Sequence, residues 1–323
     1  MQAHATAAVC AISDAAAGNR RQALALARQL DAACTHLQLQ PDWRARWLAP
    51  HRFPGATSAL GAAFDRIRAT APSLVIGCGR QAALATRLLR SAATRSVQIL
   101  DPRLDPKHWD VVIAPQHDAL RGDNVLTLLG SLNPVDAHWL EQARDAHPQL
   151  APLPQPRTGV LLGGSSRHVR FDAAAFERLA SRLQRVLADQ GGSLLVTASR
   201  RTEAAIRTQL QARLGDRGLV WVDERDGPNP YPGLLAWSDR IVCSADSVNM
   251  ISEACATDVP VFVFEPQIAT GRLRIFLDSL LQPGRIRPLD DRLDAFACTP
   301  LRETARIAAL LRERLDLPQR DSG

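Results

Sequence analysis

Short apolar runs of strand character alternate along this chain with amphipathic stretches of helical spacing. The run 8–12 leads into a helix over 19–30, with a short strand at 37–39 and a helix over 59–70. A strand at 73–77 feeds a helix at 80–90, and strands follow at 96–100, 111–114 and 125–129. A helical stretch at 136–147 precedes the proline-rich 151–159, which reads as a linker. The second half repeats the alternation: strands at 160–162, 193–197, 219–222, 241–243 and 261–264, and helices at 172–190, 202–214, 231–237 and 248–256. A last amphipathic helix covers 301–315. Two halves of alternating β and α predict an α/β protein of two Rossmann-like, doubly wound domains, 1–150 and 151–300, followed by the helical segment 301–323.

Composition narrows the class. The chain has 323 residues, 46% of them hydrophobic, which supplies core for two domains. No apolar run reaches the roughly 18 residues of a membrane-spanning helix. The N-terminus lacks a basic region before its apolar stretch, so no signal peptide is expected. The cysteines at 10, 34, 78, 243, 255 and 298 show neither CxxC nor metal-type spacing and read as buried hydrophobes in a reducing cytoplasm. Lys107 is the only lysine among 39 basic residues, a bias expected of a GC-rich bacterial genome. The net charge of +6 suits recognition of phosphates or carboxylates by arginine forks. It also suits peripheral contact with the inner face of an anionic membrane. No basic run interleaves with aromatics, so nucleic acid is not an expected partner.

The most informative stretch is 241–264, IVCSADSVNMISEACATDVPVFVF. It reads as strand, turn, helix, turn, strand. Ser244, Asp246, Ser247 and Asn249 are residue types that cap helices and bind anions. Val248, Ile251 and Cys255 carry helical spacing, and Glu253 sits within that helix. A strand that delivers hydroxyls to a helix N-terminus is suited to a diphosphate. An acidic Asp246 fits there only if it caps the helix instead of facing the phosphate. A plain βαβ turn without ligand is the alternative.

Other strand-end loops also carry polar clusters, on the edge where open α/β sheets bind ligands. Gly163, Gly164, Ser165 and Ser166 form a phosphate cradle by composition, with a plain turn equally open. Ser199, Arg200 and Arg201 offer guanidinium forks beside a strand end, or a cap with solvated arginines. Asp14 ends the first strand region, and His117 and Asp118 end the strand at 111–114. Each is a candidate acid/base residue once neighbours tune it, or a local cap. No metal-ligand cluster is visible.

The 241–264 segment resembles the nucleotide-sugar motif of GT-B glycosyltransferases and UDP-sugar 2-epimerases, whose turn contacts diphosphate and whose Glu holds ribose hydroxyls. Asp246-Ser247 stands where Ser-Gly is usual, Glu253-Ala254 and Pro260-Val261 match, and Asp258 replaces the second Gly. Further signatures, LLGGSSRHVRFD, LLVTASRRT, NPYPGLLAWSD, ISDAAAGNRRQALALA, VIGCGRQAA, LDPRL and APQHDALRGDNVL, resemble the mitochondrial fission Elm family in order over about residues 8–290. Its bacterial members are sometimes labelled nucleoside-diphosphate-sugar epimerases.

The resemblance implies a GT-B scaffold whose C-terminal helix crosses back to the N-terminal domain. It implies a nucleotide sugar bound as substrate, with no cofactor, by Gly163, Gly164, Ser165, Ser199, Arg200, Ser244, Asp246, Ser247, Val248 and Glu253. Metal-independent glycosyl transfer is then the expected activity, with Asp14, His117 or Asp118 lining the inter-domain cleft and taking the acceptor's proton. The acceptor is open; a lipid-linked one at a membrane surface fits the charge. The alternatives are a non-catalytic adaptor and a nucleotide-sugar 2-epimerase. The family usually reads D-G-x-x-G-H-x-x-Q in its first loop, whereas this chain has Asp14-Ala15, Gly18-Asn19 and Gln22, and Asn19 cannot titrate.

Overall fold

The structure, a computed structural model, describes residues 9–317. Ala8, placed in the first strand by its sequence, lies outside the described residues. The described residues divide into two compact units, 9–134 with 303–317, and 135–302. Both are α/β and wholly parallel.

Unit 1 runs β1 (Val9–Ser13), α1 (Ala17–Leu30), β2 (Thr35–Gln38), α2 (Trp43–Leu48), α3 (Ala56–Ala59), α4 (Ala62–Thr70), β3 (Leu74–Cys78), α5 (Arg80–Leu89), β4 (Arg95–Ile99), β5 (Val111–Pro115) and β6 (Val125–Leu128). The sheet order is β2-β1-β3-β4-β5-β6. Successive strand residues point to opposite faces, so Val9 and Ala11 join one buried cluster while Cys10 and Ile12 join the other. That two-sided burial is what makes these strands read as continuous apolar runs. The helix expected over 59–70 starts instead at Ala62, as α4, after the break at Leu60–Gly61. Two short elements, α2 and α3, escaped the periodicity because each is too brief to repeat a pattern.

Unit 2 runs α6 (Ala137–Ala146), β7 (Arg157–Leu162), α7 (Ala173–Gln190), β8 (Ser193–Ala198), α8 (Ala204–Leu214), β9 (Gly218–Trp221), α9 (Tyr231–Trp237), β10 (Arg240–Ser244), α10 (Val248–Cys255), β11 (Val261–Phe264), α11 (Gly271–Leu281) and β12 (Ile286–Pro288). The order is β12-β11-β10-β7-β8-β9. Asp136 and Asp172 cap α6 and α7, accepting from Trp139 N at 2.8 Å and Ala175 N at 2.9 Å. The proline-rich stretch is only partly a connector: Arg157, Thr158 and Gly159 already belong to β7, paired with β8 and β10. Arg157 is buried there and donates to both carboxylate oxygens of Asp239 at 3.1 Å. The division between units falls ahead of that stretch, at Pro134–Val135. The reason is α6, which packs on α9, with Arg144 Nε donating to Ala236 O at 2.9 Å.

The last helix, α12 (Glu303–Leu315), belongs to unit 1. Ile307, Ala308 and Leu311 are fully buried against the α1 face of the sheet. Glu303 fixes its start, accepting from Leu129 N at 2.8 Å and from the Arg306 guanidinium.

Candidate functional site

In unit 2 the chain winds β7, β8, β9 outward on one side, then returns to place β10 on the other side of β7. The order reverses between β7 and β10, and at such a reversal the two following loops diverge and leave a crevice beyond the strand C-termini. The loops there are 163–172 after β7 and 245–247 after β10, and they are tightly bonded to each other. Gly163 N donates to Ser244 Oγ at 2.8 Å, and Ser244 Oγ donates to Asp246 Oδ1 at 2.6 Å. Gly164 N donates to Asp246 Oδ2 at 2.9 Å. Arg201, from the loop after β8, donates to the same Oδ2 at 2.8 Å.

The two glycines do allow close approach, but it is the protein itself that approaches. A Cβ at Gly163 would overlap the Asp246 carboxylate, and one at Gly164 would overlap the Arg201 carbonyl oxygen. Asp246 therefore does not cap α10, the role its sequence suggested. Ser247 does, its Oγ accepting from Met250 N at 3.4 Å. The Asp246 side chain has no exposed surface, whereas that of Arg201 is 50% exposed. A buried carboxylate is tolerable only when charge-assisted donors surround it, and an N–H, a hydroxyl and a guanidinium do so here.

The third loop clamps onto the first two. Thr202 Oγ1 donates to Gly163 O at 2.6 Å, and Ser199 N donates to Leu162 O at 2.8 Å. Ser199 Oγ accepts from Arg201 N at 3.1 Å within its own turn, while Arg200 is exposed. Of the adjacent arginines it is thus Arg201 that faces the β7–β10 edge; their neighbouring positions offered no periodicity to tell them apart. Ser165 is occupied too: its Oγ accepts from Phe171 N at 3.0 Å and lies 3.0 Å from Glu203 Oε1.

Val248 opens α10 and is partly exposed. The first turn of a helix leaves N–H groups without intrahelical partners. The other end of α10 is held by the buried Arg285, which donates to Cys255 O at 2.8 Å and Thr257 O at 2.9 Å. That is the favourable end of the dipole for a cation. Glu253 is 4% exposed, and Tyr231, the only tyrosine of the chain, donates to its Oε2. Asn229 caps that stretch, accepting from Tyr231 N at 2.9 Å. Burial pushes the Cys255 thiol up to about 12 and that of Cys243 well above its usual range.

A family model described as "Mitochondrial fission ELM1" matches residues 17–315. The chain belongs to this family. The Arabidopsis thaliana mitochondrial fission protein ELM1 is 32% identical over 274 residues, covering 76% of this chain and 64% of the plant protein. The chain thus spans under two thirds of that relative's length. An uncharacterized protein of Rickettsia prowazekii (strain Madrid E) is 23% identical over 95% of this chain and 98% of its own length. Among solved structures, UDP-GlcNAc 2-epimerase from Methanocaldococcus jannaschii superposes with a TM-score of 0.58 at 11% identity, covering 94% of this chain and 99% of that one. The Neisseria meningitidis enzyme bound to UDP-GlcNAc gives 0.52 at 14% identity, covering 95% and 99%. These likenesses establish the fold, two Rossmann-like units of the GT-B type.

Unit 1 of this ELM1-family chain has its own reversal, between β1 and β3. Asp14 lies there: it accepts from Ala16 N at 2.9 Å and from Asn19 Nδ2 at 3.0 Å through both oxygens. Gly79, after β3, abuts both side chains. Three residues beyond Asn19 in α1, Gln22 is 4% exposed and its Oε1 has no hydrogen-bond partner. Ser13 Oγ and His36 Nε2 share a 3.0 Å hydrogen bond on the β2 side. His117 and Asp118 follow β5, which β3 and β4 separate from β1. At about 4.8 Å per strand, the structure does not bring them to Asp14. Asp118 N donates to Pro115 O at 2.9 Å, and the Arg121 guanidinium donates to Asp118 O at 2.9 Å, so that turn is closed locally. Among the described residues no three His, Cys, Asp or Glu side chains are grouped to hold a metal ion, and no helix is long and apolar enough to cross a membrane.

Proposed function

We propose that the β7–β10 edge of unit 2 binds the diphosphate of a nucleotide sugar and that the protein transfers the sugar without a metal ion. The observation that carries this reading is Arg201: half exposed, yet fixed by a fully buried carboxylate at the strand-order reversal, beside the N-terminus of α10. In this reading Asp246 is not a ligand contact. It positions the guanidinium, whose remaining donors meet phosphate oxygens together with the first N–H groups of α10 and the Gly163–Ser165 turn. Glu253 takes the ribose hydroxyls, exchanging its bond to Tyr231. The UDP-GlcNAc held by the N. meningitidis neighbour supports the ligand class.

The acceptor oxygen attacks the anomeric carbon, and the bond from that carbon to the diphosphate oxygen breaks. The diphosphate leaves with the electron pair, stabilised by Arg201 and the helix end. The acceptor's proton passes to a carboxylate, which this reading assigns to Asp14 at the β1–β3 reversal of unit 1. The protein acts in the cytoplasm, which all six unpaired cysteines suit, on an acceptor at the inner membrane face.

A second reading, a non-catalytic adaptor, is favoured by Asp246 itself, whose carboxylate already fills the anion-binding turn, and by the burial of Glu253. Calorimetry against UDP, GDP, ADP, CMP and their sugars separates the two. A transferase binds one base class; an adaptor binds none, and that outcome removes the proposal.

A further inference from the structure

Unit 1 carries an apolar face left exposed among the described residues. Among the described residues the exposed large hydrophobic side chains are Trp43, Trp47, Leu48, Ile268 and Ile275, and the first three stand on α2 alone. Trp43 is 70% exposed and Trp47 79%. They lie four residues apart, hence on one side of the helix. By contrast Trp109 is buried and donates to Thr86 Oγ1 at 2.9 Å, as an interior tryptophan should. Two water-facing indoles on a six-residue helix are expensive to keep unless something covers them.

The rim of this face is cationic. Arg44, Arg46 and Arg52 come from α2 and the turn after it, and Arg80 and Arg87 from α5. Their guanidiniums tie the segments together through backbone oxygens: Arg80 to Arg46 O at 2.7 Å and Arg52 to Arg87 O at 2.6 Å. Carbonyl partners leave the charges of Arg80 and Arg52 unneutralised. Asp42, which caps α2 through Ala45 N at 3.0 Å, balances Arg44 alone, accepting from its Nε at 2.9 Å. Desolvation, then the neighbouring charge of Arg52, lowers the pKa of Arg87, and desolvation followed by Arg87 lowers that of His108.

We propose that the α2 face docks unit 1 on a bilayer surface carrying anionic lipid. Trp43, Trp47 and Leu48 enter the headgroup boundary, where tryptophan is at home, and the arginines meet lipid phosphates. Charge selects this occupant over a second copy of the chain. In a two-fold dimer the same patch meets itself, and these arginines would face one another. The inference is independent of any nucleotide at unit 2.

The test is co-sedimentation of the full chain with vesicles of phosphatidylcholine alone, and with vesicles that also contain phosphatidylglycerol. Binding is expected only to the second set, weakening with added salt. Trp43→Ser with Trp47→Ser should lower partitioning about tenfold or more at an unchanged melting temperature, and Arg46→Glu with Arg52→Glu should lower it as far. Absence of binding to anionic vesicles overturns the proposal, as does binding that survives the tryptophan changes. Concentration-dependent self-association that the tryptophan pair abolishes, without vesicle binding, assigns the face to a second copy instead.

Discussion

Arg201 donates to Asp246 Oδ2 at 2.8 Å across the β7–β10 edge, and Gly164 N donates to that same oxygen at 2.9 Å. One carboxylate thus holds both a guanidinium and the Gly163–Gly164 turn. The two partners should respond differently to removal. Asp246→Ala strips the buried acceptor from an N–H, a hydroxyl and a guanidinium together, so a loss of about 3–5 kcal/mol is expected in denaturant unfolding. Arg201→Ala leaves Asp246 two donors and should cost only about 1–2 kcal/mol. It should nevertheless lower affinity for a nucleoside diphosphate by about tenfold or more. Calorimetry on Arg201→Ala with unchanged affinity would detach the pair from any ligand.

The glycines of that turn provide a second check. Gly164→Ala drives a methyl into the Arg201 carbonyl, which is backbone and cannot swing aside. Gly163→Ala meets the Asp246 carboxylate, a side chain that can shift only by giving up Ser244 and Gly164. Both should destabilise, by about 1–3 kcal/mol. Gly163→Ala should also release Arg201 and weaken diphosphate binding, a change visible when thermal shifts with and without UDP are compared.

Much of this was legible in the chain itself. The α9 range, 231–237, follows from its apolar spacing, and α7 from Asp172 and the long repeat after it. The β10–α10–β11 segment is readable because a strand buried on both faces, a cap and a helix each leave a local mark. Strand pairing across the chain leaves none. That Asp246 would reach back to Gly163 and Gly164 depends on β10 lying beside β7, a contact across 82 residues with no pattern of its own. Likewise Glu253 could be singled out by motif, but its partner Tyr231 could not. β12 was missed because three residues on a sheet edge carry too little apolar alternation.

Glu253 tests the ribose assignment. Glu253→Ala should weaken nucleotide binding by about 1–3 kcal/mol, the cost of removing a charged partner. It also deprives Tyr231 of its acceptor, so some stability is lost with it. Tyr231→Phe separates the two roles: it removes the competing donor while keeping the carboxylate. If Glu253 serves the ribose, Tyr231→Phe should bind nucleotide at least as well as the parent. Equal binding by Glu253→Ala would make Glu253 purely structural.

Acid stability has a local signature at Asp223. The Arg225 guanidinium and backbone N–H hold its carboxyl down to about 2. Because its folded pKa lies below the unfolded value of 3.8, the stabilisation is complete above 3.8. It disappears as pH falls through about 2, when both states are protonated. Asp223→Asn should therefore melt lower than the parent near neutral pH, with the gap closing across that acid window. A gap that stays constant from pH 7 to 2 would show that the Asp223–Arg225 pair contributes no pH-linked stability.

In the proposed reading Asp14 is the base, and its surroundings make a sharp expectation. Asn19 Nδ2 lies 3.0 Å from both Asp14 oxygens and orients the carboxylate at the β1–β3 reversal. His117 stands beyond two further strands. Asp14→Asn keeps the shape but removes the base, so sugar transfer or sugar-nucleotide hydrolysis should fall by about 10²–10⁴-fold. Binding of the nucleotide to unit 2 should be unchanged. Asn19→Ala should fall less, since it loosens the carboxylate without removing it, and Asn19→Asp should alter the pH profile by placing a like charge beside Asp14. His117→Ala should retain most of the turnover. Were activity lost in His117→Ala and kept in Asp14→Asn, the base would lie at the end of β5 instead, and the assignment to Asp14 would be wrong.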